Sequence, residues 1–512
     1  PVISYRLLVF SYLSQITCLS VLDNKKLMKN FNSLRVNKRV DGEPNAEGTY
    51  VLYWMHSNRR LYSNFALEYA VAWANKLDRP LVILETLVAD YPWASDRYHQ
   101  FMIDGMKEKS EDCARRGVSY FSYLEPVAGA WKGLVERLSL DACVVVSDEY
   151  PAFIQPGFNK RLSESISVPF FTVDSCGMIP LALTDKAPYS AFLFRKVVQK
   201  NFRESWAHMP ANDPLADLRI KSAQLDAEVA EKWPQVRSAA DWVDVSPSAF
   251  DIDHAVGALS YAGNRATALR RLDDFIDATL PRYGTERNDP DKSAASGMSP
   301  FLHFGTLAEH EIVQKILAKQ PSGWTADTLQ YNGGKSEGYY GGHEYVEKYL
   351  DELITWRGVG FHYAHHQPDY DKLESLPDWA QKTLNEHKND PRPNLYTLEE
   401  LEGAQTHDPI WNAAQRELVR DGIIHNYLRM LWGKKILEWS PDPETALAYM
   451  IELNNKYAID GRDPNSYSGI FWCLGRFDRP WFERPIFGTI RYMSSDSAAK
   501  KIKMNRYLVK YG

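Results

Sequence analysis

The stretch THDPIWNAAQRELVRDGIIHNYLRMLWGKKILEW, Thr406–Trp439, decides how the chain is read. It reads as a helix, a break at Gly422 and a second helix. Trp411, Trp432 and Trp439 stand in it. Trp432 and Trp439 are seven residues apart, so on a helix they share nearly one face, about 10 Å apart along the axis. Indoles on one stripe are first of all core packing. They are also close enough to pass an electron where a redox cofactor lies beside them. Asn412 and Gln415, on the same segment, have polar groups to offer such a cofactor or its substrate. The rest of the chain has to choose between these readings.

Working outward, 512 residues predict two to four domains and sizeable cores. A net charge of −6 excludes a uniformly basic coat but not a local basic face. Aromatic residues reach 13%, with 15 Trp and 29 Tyr, which suits stacking surfaces or a ring-shaped cofactor. Cys18, Cys113, Cys143, Cys176 and Cys473 are scattered without a CxxC, as expected of reduced thiols in an intracellular setting, cytoplasmic or nuclear, with an organelle left open. No run of about twenty apolar residues is fit to span a bilayer, so no membrane partner is expected. Met28 is the first methionine, and residues 1–27 are expected to be an upstream extension outside the fold. Residues 29–48 read as a flexible lead-in.

From Thr49 the pattern alternates. Thr49–Met55, Pro80–Leu87, Val118–Leu124, Ala142–Asp148 and Val168–Asp174 are apolar runs of strand length, with helices predicted at 62–77, 98–116 and 128–138 between them. Continuous apolar strands separated by helices predict a parallel sheet covered on both faces. Its ligand should lie beyond the strand C-termini. No GxGxxG follows the first strand and there is no P-loop, which disfavours a dinucleotide dehydrogenase or a P-loop ATPase. Residues 181–253, with several prolines, read as a long wrapping linker with short helical pieces. From His254 onward strands nearly vanish. The Gly- and Tyr-rich segment Gln320–His343 reads as an exposed inserted loop outside the core.

Three further segments of the helical half stand out. In Arg282–Gly305, Ser296, Gly297 and Ser299 precede a helix that Pro300 can start, a candidate phosphate site or an ordinary capped helix. In Leu350–Gly358, Glu352 and Trp356 are spaced i,i+4 on one face, either a surface pair or an acid and a ring lining one pocket. In Leu453–Met493, the turn DGRDPN is followed by Arg476, Arg479, Arg484 and Arg491 interleaved with Phe477, Trp481 and Tyr492. That composition suits contact with a DNA backbone and wedging into a base stack.

The order of SGMSPFLHFG, LDELITW, THDPIWNAAQREL, YLRMLWGKKILEW, LNNKYAIDGRDPNSYSGIFWCLG and RPIFGTIRYMS resembles that of class II cyclobutane pyrimidine dimer photolyases, within the DNA photolyase/cryptochrome family. The resemblance covers nearly the whole chain from about Gly48. It implies an α/β plus all-α protein: a lead-in over 1–48, a doubly wound parallel-sheet antenna domain over 49–180, a linker over 181–253, and a helical FAD-binding catalytic domain over 254–512. The implied reaction is light-driven repair, in which reduced FAD gives one electron to a flipped-out thymine dimer in UV-damaged DNA. The implied partner is damaged DNA, the implied state a monomer, and no metal is called for. A second, antenna chromophore, a deazaflavin or a folate, is left open.

The resemblance also assigns roles. Tyr283, Arg287, Ser296, Met298 and Ser299 match the FAD-phosphate segment and its start. Asn454 matches the asparagine near the flavin N5, and Asp460 and Asp463 the flavin-proximal loop. Glu352 matches the carboxylic acid that hydrogen-bonds the lesion, with Trp356 and Trp472 lining its pocket and Tyr427 and Met430 on the pocket side of the Trp432 helix. Arg479 and Trp481 match the residues that fill the hole left by the lesion, and Arg491 a further DNA contact. Trp411 and Trp432 become the electron relay, with Trp439 an outer or branching member.

Three departures from the family pattern matter. RGVGFHYAHHQPDYD replaces an acid-rich segment and leaves His362, His365 and His366 without a role; no carboxylate is spaced with them for a metal site. The 320–343 insert is atypical. LYSNFAL keeps Asn64 but has Phe65 where tryptophan is common. A cryptochrome-like receptor would not need Glu352, Trp356, Trp472 and Arg479. A (6-4) photolyase would need a histidine in the matching pocket segments, where none stands. A DNA-binding protein without flavin would be colourless when purified.

Overall fold

The computed structural model describes residues 31–236, 240–320 and 324–512; the expected 1–27 extension lies outside them. A six-stranded sheet is built from β1 (Val36–Val40), β2 (Tyr50–Met55), β3 (Leu81–Leu87), β4 (Ser119–Leu124), β5 (Ala142–Glu149) and β6 (Phe170–Asp174), in the order β1-β6-β5-β2-β3-β4. All the pairings among β2 to β6 are parallel, in registers such as Val51↔Leu81 and Val146↔Phe171. The apolar runs predict this: β2, β3, β5 and β6 are buried along their whole length. Val51, Tyr53 and Met55 of β2 pack under the Phe65–Leu77 helix, and Tyr50, Leu52 and Trp54 under the Leu134–Leu140 helix. Each large apolar side chain so buried stabilises the fold by about 1.5–3 kcal/mol.

The sequence reading needs correction in four places. The lead-in is not simply flexible, because β1 forms within it and pairs antiparallel with β6 (Val36↔Val173). A helix, Gln155–Ser165, follows β5; its mostly polar sequence hid it. The linker carries a 17-residue helix, Ala191–Ala207, N-capped by Ser190. Finally, the 320–343 insert is not outside the core. Tyr339 and Tyr340 are buried in it, the Tyr339 hydroxyl donates to the Gln199 carbonyl (2.9 Å), and Glu347 accepts the N–H groups of Tyr339 and Gly341.

Beyond β6 the described chain is mostly helical. The expected break falls where it was placed: the Pro409–Asp421 helix ends on Gly422, at φ 70°, and Asn426–Trp439 follows. The two halves grip each other through polar side chains. Arg97, on the Asp96–Arg116 helix, donates to the carbonyls of Leu418, Val419 and Tyr457, and the Tyr98 hydroxyl to those of Asn455 and Ala458. These carbonyls are at the C-terminal ends of the Pro409–Asp421 and Pro443–Tyr457 helices, where intrahelical donors run out; those of Leu418 and Ala458 also take the N–H groups of Gly422 and Gly461. Arg357 donates to Glu309 (2.7 Å) and to the Cys176 carbonyl, and Glu309 accepts the Met178 N–H. Gly305, at φ 69°, lies so close to the loop after β2 that a Cβ would sit 2.3 Å from the Ser57 carbonyl oxygen.

Candidate functional site

Glu352 and Trp356 lie on a π-helical turn, Asp351–Trp356, between the helices Glu344–Leu350 and Arg357–His366. Such turns widen a helix locally and recur at functional sites. The turn keeps the two side chains on one side. Burial, opposed by the Arg287 guanidinium and reinforced by Asp351, pushes the Glu352 carboxyl up to about 7. Arg287 Nη2 is 3.7 Å from that carboxylate, and the guanidinium leans over the Tyr283 ring. Trp356 stacks on Trp472, with centroids 4.8 Å apart and planes within 14°. The structure thus assembles an acid, a cation and two parallel indoles from three separate segments, at Arg287, Glu352–Trp356 and Trp472.

Next to this group, Tyr283 packs edge to face with Phe275 and Tyr349, which tilt against each other, and the Tyr349 hydroxyl reaches Ser296. Ser296 Oγ accepts the Met298 N–H, and Gly297 is at φ 67°. The helix opened by Ser299 runs only to His303, too short for a substantial dipole. The positive charge comes from Arg271, a residue the sequence reading missed, whose Nη1 would be 3.8 Å from a Cβ on Gly297.

Asn454 is buried and donates to Ser466 Oγ (2.8 Å) and Asn455 Oδ1. Asp460 and Asp463 differ. Asp463 caps the Pro464–Cys473 helix through Asn465 and also takes bonds from Tyr150 and His303. Burial raises its carboxyl, but His303, Arg357 and the Asn465 N–H outweigh that and hold it below the usual range. Asp460 Oδ1 is buried with no hydrogen-bond partner, 3.6 Å from Arg429 Nη2. A buried carboxylate oxygen left without a donor fits a bound group that carries one.

The tryptophan stripe is fully buried, with Trp411, Trp432 and Trp439 at 0%, 2% and 2% exposure. Trp411 Nε1 donates to the Trp432 carbonyl (3.1 Å), and its ring meets that of Trp439 at 5.6 Å. Trp432 Nε1 donates to Gln415 Oε1 (2.9 Å). Gln415 is therefore engaged with an indole, and Asn412 with Thr406, so neither amide is free as the sequence suggested. Trp439 is no surface residue; its ring edges touch Tyr396 and His407, which are nearer solvent.

Tyr427 and Met430 are half-buried on the same helix; Cys473, next to Trp472, donates its thiol to the Met430 carbonyl, and Lys501 lies over Tyr427. Arg479 and Arg491 both stand over the Trp481 ring, at 5.1 and 4.9 Å. Beside them Phe482, also unforeseen, is 89% exposed. A tight turn fixes this projection: Arg484 and Gly488 exchange backbone hydrogen bonds, and Thr383 Oγ1 accepts the Thr489 N–H. His362 and His366 both bond the Thr184 hydroxyl, and His365 packs against His366. Among the described residues, no group of three or more His, Cys, Asp or Glu is placed to hold a metal ion, and no helix is long and apolar enough to cross a membrane.

A separate cavity of about 470 Å³ opens on the sheet face, lined by Trp54, Trp131 and Phe158 with Lys132 and Arg161. A smaller one adjoins it beyond the C-terminal ends of β2, β3 and β5, between His56, Arg59, Tyr91, Tyr150, His303 and Arg462. Asn64 has no part in either. It caps the Phe65–Leu77 helix and donates to Tyr53, Asn58 and Arg60.

No protein-family model matches the chain. It is 34% identical over 479 residues to the deoxyribodipyrimidine photo-lyase of Methanothermobacter thermautotrophicus, across 93% of this chain and 97% of that one. The photo-lyases of Potorous tridactylus and Oryza sativa are 31% and 33% identical, across 89% and 93% of this chain and 80% and 89% of theirs. In fold it is similar to a class III photolyase from Agrobacterium tumefaciens, with a TM-score of 0.62 at 16% identity, over 91% of this chain and 87% of that one.

Proposed function

The chain belongs to the deoxyribodipyrimidine photo-lyases, and from that premise we propose that it is a class II enzyme repairing cyclobutane pyrimidine dimers in DNA with light and FAD. One observation carries the reading: a carboxyl held near neutrality, Glu352, beside a stacked indole pair, Trp356 and Trp472. Below pH 7 that carboxyl is a hydrogen-bond donor for a pyrimidine carbonyl, while the indoles present a flat apolar wall to the rings. Taking a base out of the stack needs such a pocket, and the gap it leaves needs filling. Trp481 and Phe482, with Arg479 and Arg491 for the phosphates, suit that task.

Bound in reduced form, FAD supplies the photoexcited electron that opens the cyclobutane ring. The donor set suits it. Arg271 with Ser296 and Ser299 would hold the diphosphate, and Met298, Tyr283 and Arg287 would close its side. Asp460, with its unpartnered oxygen, and Asn454 would hold the ring edge. Asp463 would act at one remove, by fixing the loop that carries Asp460. Trp439 and Trp411, in ring contact, and Trp432, joined to Trp411 through its carbonyl, would relay an electron from the surface toward the flavin. The two cavities on the sheet side are the place we assign to an antenna chromophore. Their aromatic walls and cations suit a planar ring with an anionic tail, as in a deazaflavin or a folate. The free, buried thiols of Cys113, Cys143, Cys176 and Cys473 suit an intracellular compartment.

The test is direct. Purified, reduced protein is mixed with ultraviolet-irradiated DNA and the dimers are counted after light and after darkness. Loss of dimers only in the light is expected; equal counts in both would reject the reading.

A further inference from the structure

The Ala191–Ala207 helix and the segment before it put an unusual stripe on the surface. Tyr189, Phe192 and Leu193 are 53%, 49% and 47% exposed, and Tyr331, from the insert, is 50% exposed. Phe192, Lys196 and Lys200 follow one another at four-residue spacing and so share one face over about 12 Å. Lys196 Nζ stands 4.5 Å over the Phe192 ring, and Lys200 Nζ 5.5 Å over the Tyr331 ring. The insert is fixed against this face. Gly334 sits so close that a Cβ would meet Lys196 Cγ at 2.7 Å, and Gln199 accepts the Gly334 N–H while donating to the Lys335 carbonyl. The rings are therefore held in place while left open to solvent.

The helix that carries the stripe is tied to the turn that carries Glu352. On the next face of the same helix Arg195 makes a two-pronged pair with Asp351, at 2.6 and 2.8 Å, and Asp351 directly precedes Glu352. Arg195 is close enough to act on the Glu352 carboxyl itself. Just before the helix, Tyr189 is within electrostatic reach of Arg476, where the loop carrying Arg479 and Trp481 begins.

We propose that this stripe is a docking platform for the DNA strand flanking the lesion, with bases stacking on Phe192 and Tyr331 and phosphates meeting Lys196 and Lys200. Cations spaced between fixed aromatic faces are the chemistry that binds an unpaired strand without reading its sequence. The links to the Glu352 turn through Arg195 and to the Arg476 loop through Tyr189 select the substrate's own strand over a protein partner. The inference rests on the repair reading, and its test separates the two.

The flavin-loaded protein and a Phe192→Ala/Lys196→Ala/Lys200→Ala/Tyr331→Ala variant are titrated with two single strands containing a thymine dimer, one of five nucleotides and one of twenty. The short probe is expected to bind both proteins alike. The long probe is expected to bind the variant about tenfold more weakly. Its logarithmic salt dependence should also fall by about 1.4, for two lost phosphate contacts. Equal binding of the long probe by both proteins overturns the platform, as does equal loss on both probes. Preference for neither dimer probe over an undamaged strand by the parent protein defeats the repair reading instead. Should the fourfold variant lose its flavin, Lys200→Glu, which alters one exposed charge and leaves both rings in place, is read in the same way.

Discussion

Two sets of tryptophans occupy the helical half, and the same side chain does different work in each. Trp411, Trp432 and Trp439 are sealed in the core, with the Trp411 and Trp432 N–H groups given to protein acceptors. Trp356 and Trp472 are only half-buried and meet face to face beside a carboxyl and a guanidinium. The first set is held by packing on every side, so its geometry is determined by the fold. The second is only partly enclosed and leaves part of its ring surface exposed. A buried indole with its donor satisfied suits electron passage, which needs fixed distances. A half-open indole suits recognition, which needs a free face.

The contrast can be broken most forcefully by truncating one ring from each set. Trp411→Ala should cost ~3–5 kcal/mol of stability, as for other large core side chains. Trp356→Ala should leave the melting midpoint nearly unchanged but weaken binding of dimer-containing DNA by about tenfold. Comparable melting losses in both variants would erase the distinction.

A smaller effect tests the pocket's acid. Burial raises the Glu352 carboxyl to about 7, so its donating, protonated form prevails below that pH and is lost as pH rises through it. Repair per absorbed photon should therefore fall about tenfold between pH 6 and pH 8. Glu352→Gln, whose amide donates at every pH, should flatten the profile; parallel profiles would remove Glu352 from the chemistry.

The mildest substitution, Trp432→Phe, should cost about 1 kcal/mol of stability, mainly through the lost bond to Gln415. It should slow light-driven reduction of oxidised flavin and spare repair by protein reduced beforehand. Unchanged photoreduction would sever the relay from the core set.

Much of this was legible in the sequence for identifiable reasons. The strands β2, β3, β5 and β6 are buried on both faces, so each declares itself as an unbroken apolar run. The edge strand β1, VNKRV, is half in solvent and reads as loop. The Ala191–Ala207 helix was obscured by the prolines around it, and the insert by glycines that look flexible but let Tyr339 and Tyr340 turn inward. Helical spacing put Glu352 beside Trp356, but no local pattern could announce Trp472 as the stacking partner or Arg271 as the cation near Gly297. Those contacts span separate helices and exist only after folding. Phe482 carries a local signal, an apolar ring amid Trp481, Arg479 and Arg484.

The grip of Arg97 and Tyr98 on the helix ends of the other half has a consequence for how the protein is made. A ribosome releases the Asp96–Arg116 helix hundreds of residues before the carbonyls at 418, 419, 455, 457 and 458 exist. The early half thus carries, ready-made, hydrogen-bond donors for carbonyls at the ends of two helices of the late half, those of Val419, Asn455 and Tyr457 among them. Cut apart, the late half would leave those carbonyls to water and open apolar surface at the seam. Evolution is therefore not free to shuffle the two halves as separate cassettes: the seam is inherited whole or lost.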